Sequence, residues 1–501
     1  LQQLAGAVLL CSDADLERRQ DEWLPLGDPT EAALVAFAGR AGLDADTTRR
    51  DSPRVAELPF DSERGWMLTE HRGPAPGTRR SVVKGGPSRV LPAADDPEVR
   101  SRAEQWCHEQ AAAGRRVLAV LDGTAPYDGT DRLPDRLRLL GAVAMTDPPR
   151  AGVADVVADL SAAGIRLAVM TGDQPGTAAT VAREVGLVGA VVDASLLGDR
   201  PLGPEVGDGV AVYARVRPEH KLALVRRWQE AGEVVAVTGD GVNDGPALRR
   251  ADIGVAMGRG GTEVARQAAD LVLTDDRLET IVRAVEEGRR IHDNLRRFLG
   301  YALSGGLAEV AFVLLAPFLG FRVPLLPGQI LWINMLTHGL PGVAMGAEPA
   351  APDVLHRPPV PPGTSVLDRP LLTRVAATGS VITVVTLLAA VLARHAGADG
   401  RTAAFLVLGL AQIGVALASR DRGAARHNAF LTVAATVAAA LQVAAVVLPP
   451  LHALLRTEPL PAGTWLGCLL LAAVPAALVR SARLVRSRTM GSGAPPGRAG
   501  R

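Results

Sequence analysis

The chain has 501 residues, enough for two to four domains. Its net charge is +1, so no global field draws it to nucleic acid, and no basic run does so either. The three cysteines, Cys11, Cys107 and Cys468, are far apart and form no CxxC pair, which argues against a disulfide framework and against a thiolate metal site.

The sequence opens at Leu1 with no signal peptide before it, so a processed chain or a piece of something longer is expected. Up to about residue 295 the apolar runs are short and separated by charge, as in α/β domains. Of 54 basic residues only two are lysine, Lys84 and Lys221. Chance is one explanation. The other is that a compact ammonium serves where a guanidinium fork does not.

From about 138 onward, short apolar strands alternate with amphipathic helices. "LLGAVAM" reads as a strand, "AGVADVVADLSAAG" as a helix, "IRLAVMTGD" as a strand ending in a polar turn, and "GTAATVAREVG" as a helix. "EHKLALVRRWQEAG" follows as a helix, then the strands "EVVAVTGD", "IGVAMG" and "LVLTDD". This alternation predicts a parallel, doubly wound sheet, whose ligands bind at the carboxyl ends of the strands. Two strands end in the same tripeptide, Thr171-Gly172-Asp173 and Thr238-Gly239-Asp240. The second continues as "TGDGVNDGPAL". Such an acidic turn repels phosphate unless a divalent cation lies between them, and Mg²⁺ favours one or two carboxylates with phosphate oxygens and water. Asp240 is the candidate Mg²⁺ ligand, with Asn243 and Asp244 orienting the loop or bound water. Thr171 offers a hydroxyl and a backbone N–H to phosphate, and Lys221 adds a point charge. The alternative is a polar loop with Asp244 as an N-cap.

Six apolar segments of membrane-spanning length follow, at about 298–320, 323–346, 371–393, 402–419, 428–448 and 464–479. Arginines crowd 420–427 (Arg420, Arg422, Arg426) and the end from 480 (Arg480, Arg483, Arg486, Arg488). The other three loops carry fewer: Arg322, Arg394 with Arg401, and Arg456. This bias predicts that the first 295 residues and the C-terminus face the cytoplasm of a cell membrane. "PAAPDVLHRPPVPPGT" reads as a stiff inside loop, and residues 487–501 as a disordered tail. Glu309 is the one acid in these six segments and a functional candidate by default. Asn334, Thr337 and His338 share one face at helical spacing, and Gln412 is polar within "LVLGLAQIGVAL".

"VTGDGVNDGPALRRADIGVAMG" resembles the hinge signature of the P-type cation-transporting ATPases. "MTDPPRAGV", "AVMTGDQPGTA" and "ARVRPEHK" resemble three further motifs of their phosphorylation domain, in the same order. The resemblance implies a haloacid-dehalogenase-like core over 138–295. It also implies that Thr171, Gly172, Asp173, Lys221, Asp240, Asn243 and Asp244 serve an aspartyl-phosphate cycle with ATP and Mg²⁺. "GDPTEAAL", "ELPFDSERGWM" and "VVKGGPS" resemble motifs of the family's nucleotide-binding domain, here a partial α+β domain over 1–137. This assigns Glu31, Phe60 and Lys84 to the ATP pocket, with Phe60 stacking on adenine. "GRRVLAV" makes Arg116 a phosphate-contacting candidate. The bland readings are a core Phe60 and a surface Arg116.

The family's nucleophile lies in a D-K-T-G-T segment, and this sequence has no Asp-Lys pair. The resemblance therefore covers a C-terminal portion, without the actuator domain, the first four membrane helices or the phosphorylated aspartate. The first strand of the phosphorylation domain is expected to be absent too, leaving an open sheet edge. Six helices over 296–486 fit the calcium, sodium-potassium and proton pump branches. Calcium-pump relatives carry Asp where this chain has His338, Asn where it has Gly306, and, in animal pumps, an acid where it has Gln412. Ca²⁺ wants six to eight oxygens and usually several carboxylates, so one acid with an imidazole suits a proton-coupled step or a softer metal better. Alternatively, His338 simply hydrogen-bonds across helices. The implied partners are a transported inorganic cation, the bilayer and an N-terminal half. The competing readings are a nucleotide-binding membrane module that never phosphorylates, and a phosphatase on a membrane anchor.

Overall fold

The computed structural model describes residues 1–19, 22–61, 63–73, 75, 77–134, 137–196, 209–420 and 428–491. The chain forms two compact units. One comprises Leu1–Val157 with Leu167–Asp276, the other Ala158–Arg166 with Arg277–Arg501.

In the first unit, helix α1 (Gln2–Leu10) leads to the hairpin β1 (Asp15–Arg19) and β2 (Glu22–Leu26). Helices α2 (Pro29–Arg40) and α3 (Ala45–Asp51) follow. Next comes a five-stranded antiparallel sheet in sequential order: β3 (Arg54–Leu58), β4 (Trp66–Arg72), β5 (Arg79–Gly85), β6 (Arg116–Gly123) and β7 (Arg138–Met145). Helices α4 (Pro87–Val90) and α5 (Pro97–Ala112) lie between β5 and β6 in the chain. Strand alternation divides the apolar residues between the two faces of the sheet. Met67, Val82 and Val120 pack with Ala7, Val8, Cys11 and Leu34, whereas Leu68, Val83, Ala119 and Leu121 pack with Val90, Leu91 and Leu137. The strand "LLGAVAM" is β7, paired antiparallel with β6 in this sheet rather than belonging to a parallel one. A short apolar run does not reveal its partner, and here the preceding strand captures it.

His71 of β4 is buried, with Nδ1 3.0 Å from the Ser52 carbonyl and Nε2 2.9 Å from Thr69 Oγ1. Burial pushes its pKa below the ordinary value, helped by the Arg54 and Arg80 charges and opposed by the Ser52 carbonyl and Glu70. As pH falls below about 6.5, the unfolded chain gains a proton that the folded state refuses, so stability is lost through that window. The protection factors of the β4 amides, taken against the intrinsic exchange rate at each pH, should fall as pH drops below neutrality, and His71→Gln should flatten the dependence.

Beyond β7, helix α6 (Val153–Ala162) spans the change from the first unit to the second. Parallel strand pairing begins here, in the run β8 (Val169–Met170), α7 (Pro175–Glu184), β9 (Ala190–Asp193), β10 (Val210–Ala214), α8 (Pro218–Glu230), β11 (Ala236–Gly239), α9 (Gly245–Arg250), β12 (Ile253–Met257), α10 (Glu263–Ala268) and β13 (Leu271–Leu273). These strands make two three-stranded sheets, ordered β8-β10-β9 and β11-β12-β13. Among the described residues β8 pairs only with β10 and β11 only with β12, so each sheet has an open edge at the strand that carries a TGD turn.

The second unit is helical. Helix α11 (Glu279–Leu315) begins well before its apolar part, and α12 (Pro327–Asn334) follows. The chain then makes a π-helical turn, Met335–Gly339, and resumes as α13 (Leu340–Gly346). The remaining helices are α14 (Arg369–His395), α15 (Gly400–Ala418), α16 (Ala429–Val447), α17 (Pro449–Leu455) and α18 (Ala462–Gly491). Five described helical segments are long and apolar enough to cross a membrane: Glu279–Leu319, Arg369–His395, Gly400–Ala418, Ala429–Val447 and Ala462–Leu484. The segment expected at 323–346 is instead the broken run α12, π turn, α13. Pro341 lacks the N–H that an unbroken α-helix needs there. Helix α15 is enclosed by its neighbours, with Ala403 to Leu408 fully buried. Arg422 and Arg426, and residues 492–501 of the expected tail, lie outside the described residues. Helix α18 covers the start of that tail.

Candidate functional site

The sequence "GDPTE" builds a helix start. Asp28 caps α2 by accepting from the backbone N–H of Thr30 at 2.8 Å and Glu31 at 3.1 Å, with Pro29 opening the first turn. This fixes Glu31 beside α1 and β5. Lys84 shares the face of β5 with Val82 and is 4% exposed. Its ammonium donates to Glu31 Oε1 at 2.7 Å and to Ser12 Oγ at 3.3 Å. Glu31 Oε2 accepts from the backbone N–H of Asp13 at 2.7 Å and Ala14 at 3.3 Å. Arg116 is exposed and donates to Thr30 Oγ1 at 2.7 Å. Glu31, Lys84 and Arg116 thus converge on the start of α2, together with Ser12 and Thr30, which the motif reading did not name. Phe60 lies in the β3–β4 loop and is 59% exposed, so its ring is free to stack and the core reading fails.

The second cluster stands at the carboxyl ends of β8 and β11. Thr171 Oγ1 donates to Asp173 Oδ2 at 2.8 Å and accepts from the Asp173 N–H at 3.1 Å. Its own N–H donates to the Tyr213 carbonyl at 3.0 Å. That corrects one expectation: β10 takes the Thr171 N–H, and the hydroxyl would have to leave Asp173 to reach a ligand. Gly172 and Asp173 are exposed on the turn. Lys221, in the first turn of α8, donates to Asp244 Oδ1 at 2.7 Å, and Asp244 Oδ2 accepts from the Gly241 N–H at 3.2 Å. The Asp244 carboxylate therefore closes its own loop and does not cap α9. A Cβ on Gly239 would fall 2.6 Å from Asp244 Cβ, so only glycine admits this closure. Asp240 and Asn243 are exposed, and the Asp240 side chain makes no hydrogen bond among the described residues. No three His, Cys, Asp or Glu side chains among the described residues form a metal-binding group. One free carboxylate at a strand end suits Mg²⁺, which completes its shell with phosphate and water.

The third cluster is in the helical unit. Glu309 of α11 is buried, and its carboxylate accepts from Asn334 Nδ2 at 3.2 Å and Gln412 Nε2 at 3.0 Å. Gln412 Oε1 is buried with no partner. A Cβ on Gly305 would lie 2.5 Å from that oxygen, so the glycine makes room for the amide. Thr337 and His338 do not join them. Thr337 is fully buried and donates to the Ile333 carbonyl at 2.9 Å, and His338 Nε2 sits 3.4 Å from the Ala302 carbonyl of α11. The shared face expected from α-helical spacing is lost because the π turn starts at Met335, directly after Asn334.

The sequence reading also missed a basic seam on α11. Arg289 donates to the carbonyls of Ala163 at 2.7 Å and of Val354 and Arg357 at 2.8 Å each. Arg290 and Asn294 bind the carbonyls of Gly346 and Glu348. The paired arginines of "GRRIHDN" at the polar end of a long helix are the signal that could have found it.

The chain matches "P-type ATPase, cytoplasmic domain N" over residues 1–152 and "Cation transporting ATPase, C-terminus" over residues 322–485. It is 44% identical over 396 residues to the "Probable cation-transporting ATPase F" of Mycobacterium tuberculosis (strain ATCC 25618 / H37Rv), covering 74% of this chain and 42% of that protein. It is 33% identical over 520 residues to the "Calcium-transporting ATPase" of Bacillus subtilis (strain 168), covering 97% of this chain and 58% of that one. The "Cation-transporting ATPase pma1" of Synechocystis sp. is 34% identical over 497 residues, covering 92% and 54%. The chain spans about half the length of the curated relatives it matches. With apolar helices that hold one carboxylate between two amides, and with the two family matches at its ends, the chain belongs to the P-type cation-transporting ATPases.

Proposed function

We propose that this chain supplies the ATP-binding, Mg²⁺-binding and C-terminal membrane parts of a pump that drives a cation across a membrane through an aspartyl-phosphate cycle. The observation that carries the reading is the buried Glu309 carboxylate held by Asn334 and Gln412 within apolar helices. An acid in that setting is costly unless it meets a cation.

In this reading Phe60 stacks on adenine, and Arg116 meets the phosphate side. Lys84 stands behind the start of α2, holding Glu31. The two three-stranded sheets belong to one haloacid-dehalogenase-like core in which a further parallel strand, bearing the acceptor aspartate, pairs with the open edges of β8 and β11. The resulting phosphoryl group would meet the Thr171 hydroxyl and the loop that Lys221 and Asp244 brace. Mg²⁺ held at Asp240 would neutralise phosphate charge there. The first unit faces the cytoplasm, and the broken run α12 to α13 adds a membrane segment, second in chain order, to the five long apolar helices.

The test is phosphate transfer from ATP to the protein as it exists in its own membrane. An acid-stable, hydroxylamine-sensitive phosphoprotein whose level responds to a cation supports the pump. A protein that binds ATP and never takes up phosphate would be the non-phosphorylating module instead. Within the pump reading, Gly239→Ala should displace Asp244 and lower ATPase turnover about 100-fold with the melting temperature little changed. Steady-state kinetics and a thermal melt check this together.

A further inference from the structure

We propose that Tyr301 is a positioning residue of the Glu309 site: its hydroxyl holds the π turn that brings Asn334 against the Glu309 carboxylate. The inference rests on the reading of Glu309 as the cation-binding acid. It adds a residue and a geometry that this reading does not contain.

In an unbroken α-helix the Thr337 carbonyl accepts from the N–H of residue 341, and proline has none. The Tyr301 hydroxyl donates to that carbonyl at 2.9 Å, reaching across from α11. Tyr301 is 3% exposed, so water does not substitute easily for the missing donor. Irregular backbone at membrane depth persists only where protein groups satisfy it. Two further contacts pin the same turn. Thr337 Oγ1 donates to the Ile333 carbonyl at 2.9 Å, and His338 Nε2 lies 3.4 Å from the Ala302 carbonyl, one residue beyond Tyr301.

Tyr301 and Glu309 lie on one helix, α11, and Asn334 and Thr337 lie on either side of the start of the π turn. The Tyr301–Thr337 bond and the Asn334–Glu309 bond are therefore two rungs between the same pair of segments. Freeing the Thr337 carbonyl leaves it with no donor, because Pro341 cannot supply one, so the turn must rearrange to find another and carries Asn334 away from the carboxylate. Gln412, on α15, is held independently of that rung.

Tyr301→Phe removes only the hydroxyl and keeps the ring that packs in the helical core. Pro341→Ala restores a backbone donor for Thr337 and so makes the hydroxyl redundant. The probe is dicyclohexylcarbodiimide, which modifies buried carboxyl groups and needs no cargo. Its rate at Glu309 is followed by mass spectrometry of the whole protein in its membrane. Tyr301→Phe should raise the labelling rate about tenfold, the size of one lost hydrogen bond. In cation-stimulated ATPase assays it should raise the half-saturating cation concentration by a similar factor and leave the KM for ATP unchanged. In the Pro341→Ala background, Tyr301→Phe should change neither quantity further. An unchanged labelling rate at Glu309, or additive effects of the two substitutions, overturns the positioning role. Faster labelling in a protein whose ATPase ignores every cation would leave the positioning standing and reject the cation reading instead.

Discussion

Glu309→Gln should raise the cation concentration needed for half-maximal ATPase by about 100-fold, equivalent to ~3 kcal/mol of lost binding. Glu309 is the one acid in the six apolar segments, and both of its oxygens are occupied by neutral amides. Glutamine keeps the shape. The two neighbouring amides can turn to present an oxygen, so the helices should remain folded. What disappears is the only negative charge available to a cation. Measuring ATPase against a series of cations for both proteins checks this. An unchanged cation dependence would remove Glu309 from the transport site.

The second large effect concerns Lys84 and Glu31. The pair is close and largely buried, with side-chain exposures of 5% and 15%. Lys84→Met leaves Glu31 bound to two backbone donors but with no counter-charge. The expected cost to folding is toward the lower end of about 3–5 kcal/mol, because Glu31 retains some contact with water. Adding Glu31→Gln removes the stranded charge and keeps an acceptor for the Asp13 and Ala14 N–H groups. The double variant should therefore melt at a higher temperature than Lys84→Met alone. If the pair also serves nucleotide binding, ATP affinity should stay about tenfold or more below that of the parent in the double variant, since stability returns and the charges do not. Recovery of both would make the pair purely structural. Recovery of neither would mean that the ion pair is not what orders the start of α2.

Much of this arrangement was legible because its signals are local. The two TGD turns follow short apolar strands, so both were placed at strand ends by alternation alone. The segment "GDPTE" carries its own cap, first-turn proline and acid. Other features depend on partners distant in sequence. Strand β7 looks like any apolar run until β6 claims it. The burial of Lys84 follows from its sharing a face with Val82, under α1 and α2, which no sequence window of strand length contains. The commitment of the Thr171 N–H to Tyr213 is likewise a cross-strand fact. The π turn was the costliest omission. Pro341 announces a break, yet the spacing of Asn334, Thr337 and His338 gives one shared face only where the helix is whole. Past the break, Thr337 bonds to the Ile333 carbonyl and His338 lies by the Ala302 carbonyl, and neither bonds to Glu309.

His338 illustrates the consequence. Its presence where calcium-pump relatives carry an acid pointed to proton coupling or a softer metal. The ring instead faces Tyr301, at 6.0 Å between ring centres, and the Ala302 carbonyl. That geometry favours the cross-helix alternative and leaves Glu309, Asn334 and Gln412 as the polar groups that meet.

In the pump reading, ATP hydrolysis moves a cation through the Glu309 site. The most direct test is ATP-driven accumulation in sealed vesicles that contain the protein in its natural length. Internal metal content is read by mass spectrometry and internal pH by a trapped dye. The account predicts ATP-dependent accumulation of one cation, or of protons, that disappears in Glu309→Gln. Hydrolysis of ATP with no accumulation of any cation or of protons, in vesicles shown to be tight, would contradict it.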